Sequence, residues 1–134
     1  MLSFSEASNL SVHALAYLAA VGPDARLSAS TIAARLDCSE SHVAKVLNRL
    51  VNAGLLASTR GAAGGFSLAV DPQRLSVREV LEAIDGPLAP PRCLLGHPIC
   101  GRGACVFEGL FKNMWAEIAK YLSETKLTDF RIQP

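Results

Sequence analysis

The chain reads as a mainly α-helical fold that carries a small β wing and closes on a long C-terminal helix. Three observations predict it. Apolar residues recur at helical spacing in three successive segments before residue 53. A glycine-rich turn then separates two short β-like runs, and a wide apolar helical stripe fills residues 106–125. Of the 134 residues half are apolar and 19% are charged, which suits one globular domain with a real core and excludes a disordered chain.

A helix is expected over residues 5–20, with Leu10, His13 or Ala14, Tyr17, Leu18 and Val21 recurring at helical spacing. Ser3-Phe-Ser-Glu6 has the form of a capping box, and Gly22-Pro23 stops the helix. Ser28 opens a second, short helix over residues 29–36. Ser39 caps a third over 41–52, with Val43, Val46, Leu47 and Leu50 inward and Gly54 after its end. Residues 55–59 and 65–70 flank Arg60-Gly-Ala-Ala-Gly64. The alternation of Phe66, Leu68 and Val70 suits a strand with one buried face, so this is a hairpin. Ser76-Val-Arg-Glu79 is a second capping box, opening a helix that runs through Ile84 to the stop at Gly86-Pro87. Residues 86–104 lack periodicity, and a long helix is expected from Cys105 or Val106 to about Thr125. The resulting division is a winged helix-turn-helix domain over 1–85, a cysteine-bearing loop over 86–105, a dimerisation helix over 106–125 and a tail over 126–134.

Net charge is only +1, from 13 basic and 12 acidic residues. Nucleic-acid binding must therefore come from a local patch rather than from a generally basic surface. The N-terminus lacks a secretory pattern, and no apolar run reaches the roughly 18–20 residues that span a bilayer. A cytoplasmic protein with no membrane partner is expected, in which clustered thiols favour metal or redox chemistry over structural disulfides.

Two helices joined by the short Asp37-Cys38-Ser39 link and followed by a glycine-tipped hairpin predict a reader of double-stranded DNA. On the second helix of the pair Ser39, Ser41, His42, Lys45, Asn48 and Arg49 face outward. Ser, His and Asn suit base edges, and Lys and Arg suit phosphate or guanine. At the hairpin tip, Arg60 with Gly64 and Gly65 lets backbone approach a groove or a phosphate. A solvated helix face and a tight turn are the plainer readings of the same residues.

Cys93, Cys100 and Cys105 fall within thirteen residues of one Gly- and Pro-rich loop, while Cys38 sits far upstream. Gathered thiolates on an irregular loop suit a soft metal or an iron–sulfur cluster. His97 would complete three cysteines and one histidine, a set common in structural zinc sites. Glu6, Asn9 and His13 share a face of the first helix, and Glu108 lies one turn beyond Cys105, so each is a candidate fourth ligand. The long helix carries a wider apolar arc than one small domain needs, which points to a homodimer reading two related half-sites.

The wing Arg60-Gly-Ala-Ala-Gly-Gly-Phe66, the segment Val77-Arg-Glu-Val-Leu-Glu-Ala-Ile-Asp85 and the three-cysteine loop resemble the bacterial regulators that include IscR, NsrR and RirA. The resemblance covers nearly the whole chain. It implies a homodimeric winged-helix transcription regulator whose long helix crosses to its partner. It also implies that Cys93, Cys100 and Cys105 hold an iron–sulfur cluster of two or four irons, with a fourth ligand that varies among members. By position Asn9 matches an acidic ligand of some members, and His13 a histidine ligand of a redox-sensing one. Glu108 takes the place of a histidine in IscR-like proteins. Two departures matter: six and four residues separate the cysteines where five and five are usual, and Ala44 replaces a base-reading glutamate. The expected function is thus not enzymatic. It is a DNA-binding regulator, a repressor, whose affinity for a palindromic operator is set by a cluster sensing iron, redox state or nitric oxide. The alternative is the same reader with structural zinc or no metal, controlled by a protein partner or by thiol oxidation.

Overall fold

Local capping decides where the helices start. In the computed structural model, which describes residues 4–91, 93, 99–100 and 105–134, α1 spans Glu6–Val21. It is capped by Ser5, whose hydroxyl accepts the Ser8 N–H at 3.0 Å. The cap is therefore Ser5 rather than the expected Ser3 box, and Glu6 is left outside it. α2 (Ala29–Leu36) and α3 (Glu40–Asn52) start on Ser28 and Ser39 as their sequences predict. Between them Asp37 adopts φ 53°, a left-handed conformation that Asp tolerates better than most side chains, and this turns the chain sharply from α2 into α3.

β1 (Leu56–Thr59) and β2 (Gly65–Leu68) pair antiparallel with Leu56 opposite Leu68 and Thr59 opposite Gly65. Leu27 adds a bridge on the outer side of β2: its N–H donates to the Phe66 carbonyl at 3.0 Å and its carbonyl accepts the Phe66 N–H at 2.7 Å. That third edge was not visible in the local pattern. It explains Gly65, where φ is +146° and a Cβ would lie 2.7 Å from the Leu27 carbonyl oxygen.

α4 (Val77–Asp85) has the full capping box, Ser76 with Glu79. The core forms where α1 meets α2, α3 and α4. Leu15, Leu18, Ile32, Leu47, Leu50 and Val80 are completely buried there, each contributing roughly 1.5–3 kcal/mol of transfer free energy.

α5 (Glu108–Glu124) begins three residues later than the earliest start expected from sequence, so Cys105 precedes the helix and accepts the Glu108 N–H in a turn at 2.9 Å. α5 packs on α4, and Phe111 is its one buried residue. Leu110, Met114 and Tyr121 remain exposed. The stretch set down as a tail is anchored. Thr125 accepts the Val77 N–H, the Leu127 N–H reaches the Leu75 carbonyl, and Leu127 enters the core from a short 3-10 turn, Leu127–Asp129. Phe130 and Ile132 pack behind it.

Candidate nucleic-acid interface and cysteine loop

The apolar side of α3 is fixed by Val43, Val46, Leu47 and Leu50 in the core, which forces Ser41, Lys45 and Asn48 outward, and all three are exposed. They form the surface expected to meet a groove. Ser39 is exposed too, but its hydroxyl is committed as the cap that accepts the His42 N–H at 3.4 Å.

Two of the expected DNA contacts have partners within the protein. His42 is half-buried, and its Nε2 is shielded from solvent without a hydrogen bond, 3.8 Å from a Glu6 carboxylate oxygen on α1. The imidazole therefore turns toward α1 rather than outward from the reading surface. Arg49 sends Nη2 across to the Ile84 carbonyl of α4 at 2.7 Å. One of its donors is thus spent inside the domain, where the sequence pointed to phosphate or guanine.

The wing tip is built by close approach. Gly64 donates to the Gly61 carbonyl at 2.9 Å, and a Cβ at Gly64 would meet that same oxygen at 2.8 Å. Arg60 is exposed at the tip, while the Arg26 guanidinium donates to the Ala63 carbonyl at 3.4 Å and braces the turn. Arg26 went unremarked in the sequence, since its partner lies 37 residues away.

At the far end of α4 a second group of contacts gathers. Asp85 accepts the Ser5 N–H at 3.1 Å and the Ser5 hydroxyl at 2.6 Å. Burial raises the Asp85 pKa, but the Ser5 hydroxyl and amide and the charge of Arg49 outweigh it and hold the carboxyl below its ordinary value. The chain leaves α4 with the Gly86 N–H on the Glu82 carbonyl at 3.0 Å and the Leu88 N–H on the Glu82 carboxylate at 3.2 Å. The cysteine segment follows directly.

Cys93 and Cys105 are half-buried and Cys100 is exposed. Cys105 and Glu108 line one open hollow of about 640 Å3 with Pro90, Pro91, Phe111 and Lys112. His13 lines a different hollow of about 390 Å3, beside Arg35, Arg131 and the chain's end. The structure thus brings Cys105 and Glu108 together and separates His13 from both. Among the described residues no three Cys, His, Asp or Glu side chains gather as a metal would require. His97 lies outside the described residues. The donor chemistry still suits a soft metal ion, because three thiols share one segment.

His13 has a further property. Its Nδ1 lies 2.7 Å from the Asn9 carbonyl, and a carbonyl can only accept, so Nδ1 is the donor and Nε2 is left outside this bond. That is how metal-binding histidines are commonly oriented. The ring also meets Phe130 edge-on at 6.1 Å. Asn9 is exposed, and Glu6 stands beside His42 instead. Cys38 takes no part in this group: its thiol reaches the Leu36 carbonyl in the turn between α2 and α3.

The family model described as Rrf2, iron-dependent transcriptional regulator, matches residues 4–131. The chain is 32% identical over 111 residues to protein rrf2 of Nitratidesulfovibrio vulgaris, covering 83% of this chain and 71% of that one. It is 30% identical over 98 residues to the HTH-type transcriptional regulator IscR of Xenorhabdus nematophila, covering 73% and 60%. Across several curated relatives the matched stretch is 40–60% of their own length. Among solved structures, CymR, the global cysteine regulator of B. subtilis, superposes with a TM-score of 0.81 at 25% identity, covering 96% of this chain and 95% of that one. The two-strand sheet and five helices are the winged-helix arrangement the sequence predicts. Among the described residues no helix is long and apolar enough to cross a membrane.

Proposed function

This chain belongs to the Rrf2 family of DNA-binding transcriptional regulators, and from that premise we propose that it is a cytoplasmic, homodimeric repressor controlled at Cys93, Cys100 and Cys105 as ligands of an iron–sulfur cluster. The observation that carries the reading is the position of those three thiols. They lie on the one segment that joins the last helix of the reader, α4, to the exposed helix α5. Whatever orders that segment acts on both at once, which is the requirement for coupling two sites.

The residues divide the work by place. Lys45 and Arg60 meet phosphates, and Ser41 and Asn48 meet base edges of a palindromic site. Leu110, Met114 and Tyr121 of α5 bury their exposed apolar surface against a second copy, because one buried phenylalanine gives a seventeen-residue helix too little packing of its own. Cys93, Cys100 and Cys105 supply thiolates. Glu108 is the fourth donor nearest Cys105, and His13, with Nε2 as lone-pair donor, is the one a second subunit would offer. A bound cluster contributes a centre that oxidants, nitric oxide or iron shortage can alter. Carboxylate and imidazole are harder, weaker donors to iron than thiolate and exchange more readily, so the fourth position is the point of entry for a signal.

Anaerobic purification with absorption, iron and sulfide analysis tests the reading. A brown protein whose iron and sulfide vanish in Cys100→Ser, but persist in Cys38→Ser, is the expected result. A colourless zinc protein, or Cys100→Ser that retains full iron and sulfide, defeats it.

A second reading, regulation by thiol oxidation or by a partner protein without metal, is favoured by the likeness to CymR and by the exposed thiol of Cys100. It predicts a colourless protein whose DNA affinity responds to a thiol oxidant.

A further inference from the structure

We infer that Arg49 is a positioning residue, the latch through which the start of the cysteine loop sets the attitude of the recognition helix α3. The inference rests on the control by loop cysteines proposed above. Arg49 stands in the last turn of α3 and donates from Nη2 to the Ile84 carbonyl at 2.7 Å, in the last turn of α4. A guanidinium donor on a carbonyl at a helix C-terminus meets the negative end of that helix's dipole, and hydrogen bonds from charged donors are among the stronger ones.

The neighbouring residue, Asp85, is pinned from α1 by the Ser5 N–H and hydroxyl. The last turn of α4 is therefore held from two sides, by α3 and by α1. Immediately beyond it, Gly86 takes φ +83° and Leu88 is tied back to Glu82 at 3.2 Å. The segment carrying the cysteines therefore leaves α4 within two residues of the carbonyl that Arg49 grips.

A displacement imposed on the chain at 86–88 must reach that carbonyl. The Arg49 bond then either breaks or carries the C-terminal end of α3 with it. The opposite end of α3 presents Ser41 and Lys45, so a rotation about the buried row Val43, Val46, Leu47 and Leu50 re-aims the reading surface. A residue that merely touched DNA would have no reason to reach α4. An arginine that merely stabilised the fold would be replaceable without changing how DNA affinity answers to the loop.

The test uses the full chain in a Cys38→Ser background, reduced and metal-free, with the loop thiols either left intact or alkylated by iodoacetamide. The probe is a DNA duplex selected from a random pool by the unmodified protein. With Arg49 present, alkylation is expected to change the dissociation constant by roughly 5–150-fold, the usual range of coupling between two sites. In Arg49→Ala and Arg49→Gln the change should collapse toward one, with the slope of log affinity against log salt unaltered. Arg49→Lys, which keeps a cationic donor on a shorter reach, should restore part of the response; it also carries the test if alanine does not fold.

A full alkylation response in Arg49→Ala overturns the latch and leaves the proposed control by the loop standing. A salt slope reduced by about one in that variant assigns Arg49 to a phosphate instead and also overturns it. No response to alkylation with Arg49 intact overturns the control by loop cysteines and the latch together.

Discussion

Lys45 and Asn48 sit one turn apart on the exposed side of α3, and their chemistry assigns them different jobs. Lys45→Ala should weaken binding to every duplex and lower the salt slope by about one, as loss of a phosphate contact does. Asn48→Ala should cost about 1–3 kcal/mol on the selected site and little on random DNA, as loss of base readout does. Titrations on both duplexes at several salt concentrations check this, and equal losses on both for Asn48 would make it a backbone contact. Asp85 gives a pH dependence. Its folded pKa lies below the ordinary value, so the ionised carboxylate adds stability above the ordinary carboxylate range near 4, and that stability is lost as pH falls through the folded value. Asp85→Asn should flatten this part of the acid limb, measured as Tm against pH from about pH 5 downward. A limb unchanged in the variant would assign the acid sensitivity to other groups. Glu79 adds a parallel contribution: hydrogen bonds from the Ser76 hydroxyl and amide lower its pKa within the α4 cap.

Among the elements, the segment after α5 is tied to the start of α4 and to the core. Leu127 is buried, its N–H reaches Leu75, and Val77 reaches Thr125, so this return strand of chain locks the start of α4. Leu127→Ala should cost about 2–5 kcal/mol, the usual loss for a buried leucine. Denaturant unfolding with an unchanged m-value checks it, and a loss under about 0.5 kcal/mol would mean the segment is merely a surface appendage. The capping box of α4 was legible because its partners lie three residues apart. The start of α5 was not, because the chain from Cys105 to Phe107 is apolar or neutral and forms a turn whose residues continue the helical pattern without its hydrogen bonds.

Across the described residues the wing and the reader share one core, and α5 leaves much of its apolar side open. Leu110 is 52% exposed and Tyr121 70%, surface that a lone subunit would leave in water at about 25 cal/mol per Å2. If α5 forms the proposed subunit contact, Leu110→Glu combined with Met114→Glu should leave a monomer in sedimentation and weaken binding to a palindrome far more than to a half-site. A dimer that survives both changes would place the subunit contact elsewhere.

Helical order, the caps at Ser28, Ser39 and Ser76, and the hairpin with its tip were legible in the sequence. It also displayed three cysteines in one loop, because each of these signals is carried by residues close together in the chain. The resemblance drawn from the wing, the following helix and that loop identified the family correctly. Only the tertiary structure decided the rest. It turned His42 toward Glu6 and committed Arg49 to Ile84 across 35 residues. It tied Ser5 to Asp85 across 80, and it set Cys105 beside Glu108 but His13 in another hollow. The physical reason is common to all of them. Helical period and capping are local properties of backbone and neighbouring side chains. Which side chain meets which carbonyl depends on how helices pack, and packing is settled by volumes and angles spread over the entire chain.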